Sequence, residues 1–175
     1  MFCCGKSEQP VKVATLNFRR EELIYDAANY SFVEGDLLGD EDEHARYQVF
    51  DIAQEGNVNR VTRVLNLAHA ECVEMLFPYT ERDVRGGEDL DDVLVAPEVY
   101  RIELKLPAGF SQTTVQLLEH LIHEYLVCRV LADWMSITKP SSEGNWENKL
   151  RNMKMRIQTS LVSRMGKVNR KLKPF

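Results

Sequence analysis

Residues 111–138 read SQTTVQLLEHLIHEYLVCRVLADWMSIT, and this stretch decides the fold. Ser111 is a favourable helix N-cap, and apolar residues then recur at helical spacing until the Lys139-Pro140 pair stops the pattern. The second half of the stretch is apolar nearly all round, which is typical of a helix enclosed by other elements. The sequence therefore predicts a long central helix that ends near Thr138.

Amphipathic segments before and after this helix in the sequence are the helices expected to pack against it. The spacing of apolar residues predicts helices over residues 19–32, 41–54 and 57–77. Asn145 is placed to cap a last helix. The apolar stripe of that helix consists of Trp146, Leu150, Met153, Ile157 and Leu161. Together these segments predict a bundle of about five helices.

One further segment has the period of a strand. Residues 99–106 alternate between an apolar face that includes Tyr100 and Ile102 and a charged face that includes Arg101. Residues 93–95 are the expected hairpin mate, and residues 11–18 are expected to form an extended arm. The predicted class is mainly α with a small β-hairpin (α+β), in a single domain over residues 1–163 with extended termini.

Length and composition limit the class of protein. The chain has 175 residues, 44% hydrophobic and 28% charged, which is ordinary for one soluble domain and excludes collagen-like, disulfide-scaffold and wholly disordered chains. No apolar run reaches the length of about 18 residues that a membrane span needs, and the first ten residues lack the apolar core of a secretory signal. We expect a protein assembled in a cytoplasm without a membrane partner.

The charges are distributed unevenly along the chain. Residues 34–55 carry eight acidic residues against Arg46, a net charge of −7. Residues 144–175 carry nine basic residues against Glu147, a net charge of +8. Opposite charges in separate segments indicate contacts between different parts of the chain or between chains.

Two short clusters are compatible with metal chemistry. Cys3 and Cys4 are adjacent, but no second Cys/His pair follows at ligand spacing. His120, His123 and Glu124 lie on one predicted helix at spacings that bring side chains close together. Their spacing is not that of the zinc-protease motif. A solvated or inter-subunit face is the preferred interpretation of these three residues. No phosphate-binding loop or nucleophile motif is present, so the sequence favours a protein that is not an enzyme and has no cofactor.

The end of the chain, residues 164–175, is the predicted partner-binding segment, which we call the basic tail. It combines five positive charges with two apolar anchors and has no local apolar period with which to bury itself. We expect it to lie in an acidic groove of a partner, while any contact with DNA is non-specific. The predicted binding residues are Arg164, Lys167, Arg170, Lys171, Leu172, Lys173 and Phe175.

The order of these parts resembles that of the small head-to-tail connector (adaptor) proteins of tailed bacteriophages. The detailed similarity to phage structural proteins is in residues 125–134 (YLVCRVLADW), the turn at residues 136–140 and the end from Arg164. The resemblance implies a homo-oligomeric ring beneath the portal protein, in the neck of the virion, with the C-terminal tail docked on the portal and no catalytic residue. Neighbouring connector or tail subunits are then the other partners.

Three alternatives stay open from the sequence alone. A tail-completion protein is a close relative of a connector in role. A small nucleic-acid-binding or regulatory protein would use the basic end of the chain on phosphates. A metal-dependent enzyme would use His120, His123 and Glu124.

Overall fold

The computed structural model describes residues 11–37, 43–80 and 96–162, and these ranges are mainly helical with one small antiparallel sheet. This confirms the predicted class of mainly α with a small β element. The bounds in chain order are β1 Val11–Arg19, α1 Arg20–Asp36, α2 Glu43–Phe50, a 3-10 turn Asp51–Ala53, α3 Glu55–Met75, β2 Val99–Pro107, α4 Gln112–Thr138 and α5 Pro140–Val162.

The central helix predicted from residues 111–138 is α4. From Tyr125 to Ala132 every residue except Arg129 is buried, because α1, α3, α5 and the sheet all pack against this helix. Burial of this apolar length removes a large area from water and is the main source of the stability of the fold. Ser111 does occupy the N-cap position in an extended conformation, but its side chain makes no capping hydrogen bond.

The last helix begins earlier than predicted. Helix α5 starts at Pro140, whereas Asn145 had been expected to cap it, and Asn145 is an exposed residue inside the helix. Proline is well suited to the first helical position because its fixed φ is helical and its missing N–H would have no partner there. The same residue therefore ends α4 and opens α5, which folds back against α4.

The predicted strand is confirmed, and its described partner is distant in sequence. Strand β2 pairs antiparallel with β1, in a register that places Leu16 opposite Ile102 and Phe18 opposite Tyr100. These four side chains are buried, because alternation brings them to the same face of the sheet over the core. The expected hairpin mate, residues 93–95, lies outside the described residues.

Side-chain hydrogen bonds fasten the sheet to α3. The hydroxyl of Tyr100 donates to Asn66 Oδ1 at 2.7 Å, and His69 Nε2 donates to the carbonyl oxygen of Arg101 at 3.0 Å. On the far side of α3, Arg60 forms an ion pair with Asp133 of α4 at 2.9 Å. The sheet, α3 and α4 thus form a connected framework against which α1, α2 and α5 pack.

Candidate interaction site

Three aromatic side chains gather on the surface where α1 meets α2. The ring of Phe32 stacks on that of Phe50, with centroids 5.0 Å apart and planes at 22°. Tyr47 meets Phe50 edge-on, with centroids 6.4 Å apart. Phe32 and Tyr47 are each 58% exposed, so the cluster faces solvent. We call Phe32, Tyr47 and Phe50 the aromatic patch.

The close approach of the two helices at this patch depends on a glycine. Gly35 is buried against the ring of Phe50, and a Cβ atom at Gly35 would lie 2.9 Å from Cδ1 of that ring, well inside van der Waals contact. Beside it, Arg46 forms an ion pair with Asp36 at 2.5 Å, and its guanidinium lies 5.7 Å from the centre of the Phe50 ring. The rings are therefore held by α1 and α2 together.

The patch is also anchored to the core through Val49. The carbonyl oxygen of Val49 lies in the last turn of α2, where helical carbonyls lack partners within the helix. It accepts hydrogen bonds from the hydroxyl of Ser31 on α1 and from Nε1 of Trp134 on α4, the latter at 3.0 Å. Because all three residues are buried, α2 is fixed in place and presents the patch as a preformed surface.

A polar junction holds the end of α1 against the turn between α4 and α5. The carboxylate of Glu34 accepts hydrogen bonds from Lys139 Nζ at 2.8 Å and from the Ser142 hydroxyl at 3.0 Å. Lys139 also donates to the main-chain oxygen of Glu34 at 3.0 Å. Burial alone would raise the pKa of Glu34, but the hydrogen bonds from Lys139 and Ser142 outweigh it and hold that pKa below its ordinary value.

His120, His123 and Glu124, the alternative metal cluster, do not come together as one site. His123 Nε2 lies 2.7 Å from Asp26 Oδ2 of α1, while Glu124 forms an ion pair with Lys149 of α5 and accepts a hydrogen bond from Tyr30 at 3.2 Å. His120 is exposed on the same helix. Across residues 11–37, 43–80 and 96–162, no group of three His, Cys, Asp or Glu side chains is arranged to hold a metal ion.

The two cysteines that the structure describes are buried thiols. Cys72 and Cys128 are free, and burial raises the pKa of Cys128 to about 12. A thiol with so high a pKa carries almost no thiolate at neutral pH and is a poor nucleophile or ligand. Cys3 and Cys4 lie outside the described residues.

A shallow groove of about 490 Å³ runs between α3 and α5 over the middle of α4. On its floor the hydroxyl of Tyr125 donates to Glu71 at 2.6 Å, and Arg129 pairs with the same carboxylate at 3.6 Å. Arg151 and Lys154 border the groove opposite Glu71. Glu71 of α3 is thus held by two residues of α4, and these contacts join the two helices.

The candidate surface described here is separate from the predicted basic tail, which stays a prediction. All seven predicted binding residues lie outside the described residues: Arg164, Lys167, Arg170, Lys171, Leu172, Lys173 and Phe175. The aromatic patch was not predicted. One sequence feature points to this surface: Phe32 is a large apolar residue that does not lie on the buried stripe of α1, which consists of Leu23, Ala27 and Ser31.

Comparison with protein-family models, with curated proteins and with solved structures finds no match to this chain. Within the residues that the structure describes, no helix has the length and apolar character needed to cross a membrane.

Proposed function

We propose that this chain is a structural protein of the virion, a head-to-tail connector that forms a homo-oligomeric ring and joins the portal protein to the tail of a bacteriophage. The observation that carries the proposal is the aromatic patch. The layout of the sequence, which resembles that of phage connectors, gives the proposal its particular form.

The patch has the chemistry of an interface between proteins. Aromatic side chains are enriched at such interfaces, and they lose little conformational freedom on binding when they are already packed. Phe32 and Tyr47 meet both conditions, since each is more than half exposed and each is held against the ring of Phe50. A solvent-facing aromatic cluster that is fixed to the core favours assembly with another protein.

The charges favour assembly with a defined polarity. Helix α5 exposes Arg151, Lys154 and Arg156, whereas the sequence around α1 and α2 is strongly acidic. Two different surfaces that attract each other form heterologous contacts, and heterologous contacts close into rings when the rotation between copies permits. Such a ring fits a connector better than a monomeric regulator.

Native mass spectrometry of the full-length protein, alone and mixed with the portal protein of the same phage, tests the proposal. We expect the protein to form a ring with one fixed number of subunits, either alone or with the portal protein. The Tyr47→Ser substitution should disrupt this ring. Tyr25→Ser is the matched control, because Tyr25 is an exposed aromatic residue of α1 outside the patch. A protein that stays monomeric with and without portal contradicts the proposal. Retention of DNA with a steep salt dependence would instead favour the nucleic-acid-binding alternative.

A further inference from the structure

We propose that the basic tail of one copy binds the aromatic patch of the next copy. This inference rests on the proposed ring, and it names the two surfaces that meet at each contact between neighbours. It commits the tail to a second copy of this chain, although the sequence alone left the portal as an equal partner.

The chemistry of the two surfaces is complementary. The tail offers Leu172 and Phe175 as apolar anchors, and its five cations have no acidic residue among them. The patch offers exposed aromatic rings, on which cations and apolar groups both bind well. Arg46, which is paired with Asp36, already lies over the Phe50 ring, so a cation fits against this ring. The net charge of −7 over residues 34–55 attracts the tail to this part of the chain.

The patch and the last described residue before the tail lie at opposite ends of helix α5. The contacts of Glu34 with Lys139 and Ser142 place the end of α1, and with it the patch, beside the first turn of α5. The tail follows the other end, after Val162. A helix of 23 residues is about 34 Å long, at about 1.5 Å per residue.

This separation favours docking between copies over docking within one copy. The 13 residues after Val162 reach at most about 45 Å when fully extended. To bind the patch of its own copy, the segment would have to run back along nearly the whole of α5 in extended form, at a high entropic cost. A neighbour that presents its patch near Val162 removes that cost, and the contact repeats from copy to copy as a ring requires.

Photo-crosslinking of the full-length protein tests the inference. Benzoylphenylalanine replaces Phe175 in an unlabelled copy, which is mixed with an ¹⁵N-labelled wild-type copy before irradiation. We expect crosslinks from the unlabelled tail to labelled peptides that contain Phe32 or Tyr47. Tyr47→Ser in the labelled copy should lower the crosslink yield about tenfold, the loss expected of one anchoring aromatic residue. Tyr25→Ser should leave the yield unchanged.

A second variant keeps the test independent of the patch mutation. Charge reversal in the tail, Lys171→Glu with Lys173→Glu, should lower the same crosslink yield and leave the melting temperature unaltered. The inference is overturned if the unlabelled tail crosslinks only to unlabelled peptides. It is also overturned if the crosslinks lead to the groove between α3 and α5. Rings without tail-to-patch crosslinks overturn the inference and leave the proposed function standing. Crosslinks between copies that build neither a ring nor a portal complex support the inference and overturn the proposed function.

Discussion

Trp134 joins the central helix to α2 with a single hydrogen bond from its ring nitrogen. The carbonyl oxygen that it meets, that of Val49, also accepts from Ser31, so one acceptor links three helices. Loss of this ring leaves a cavity and removes one of the two donors. The residue therefore has both a packing role and a polar role in the core.

We predict that Trp134→Ala lowers the free energy of unfolding by about 2 to 5 kcal/mol, the range for large-to-small changes in a core. Trp134→Phe keeps most of the packing but loses the hydrogen bond, so its cost should be smaller, with about 1 kcal/mol from the hydrogen bond. Urea denaturation at neutral pH measures both values. If Trp134→Ala melts at the wild-type temperature, Trp134 is a surface contact rather than part of the core.

At the same scale, local sequence places Phe32 off the buried face of its helix but does not reveal the aromatic patch. Phe32, Tyr47 and Phe50 come from two helices, and their meeting depends on the absence of a side chain at Gly35. Helical period describes one helix at a time and does not state which neighbour a surface residue faces. The polar partners of His123 and Glu124 were hidden for the same reason, since Asp26 and Lys149 belong to other helices.

At the scale of elements, the period of apolar residues predicts the type of each segment but not which segments pack or pair together. The apolar stretch of α4 and the alternation of β2 were predicted correctly because each is a local pattern. The pairing of β2 with β1 was not predicted, because β1 is far away in the sequence and the nearer segment, residues 93–95, was preferred as the mate. Residues 11–18 were expected to be extended, which their place in β1 confirms.

The junction of α1 with the turn between α4 and α5 makes stability depend on pH. The carboxylate of Glu34 has a lower pKa in the folded protein than its ordinary value of 4.5. When the pH falls through this range, the unfolded chain takes up the proton first, which favours unfolding. The stabilisation is complete above the ordinary pKa and is lost as the pH falls through the folded value.

We predict that Glu34→Gln reduces the loss of stability that the wild-type protein shows between pH 7 and the acid side of the Glu34 titration. Chemical denaturation at a series of pH values measures it. Glu147→Gln, at an exposed position of α5, is the matched control and should leave the pH profile as it is. If the free energy of unfolding of the Glu34 variant falls with decreasing pH as steeply as that of the wild type, other carboxylates cause the pH dependence.

At the scale of the whole molecule, the core and the basic tail are expected to be separable. The buried stripe of α5 extends to Leu161, and the sequence predicts that the apolar period is lost from Gly166. We predict that deletion of residues 168–175 leaves the melting temperature nearly unchanged and abolishes assembly with neighbouring copies and portal. Calorimetry and native mass spectrometry on the same preparation measure the two effects. Unfolding of the truncated protein would place the tail in the core, and intact assembly would remove its role in docking.

The pairing of β1 with β2 sets an order for events during synthesis. Leu16 and Phe18 leave the ribosome before their partners on the neighbouring strand, Ile102 and Tyr100, which follow 86 and 82 residues later. At about 5–20 residues per second, translation of that interval takes about 5 to 20 s. During this interval β1 has an unpaired edge, and helices α1 to α3 cannot yet pack against α4. The nascent chain is therefore prone to aggregation. Slow translation before residue 107 should therefore lower the yield of native protein, and a chaperone that shields the emerging strand should restore it.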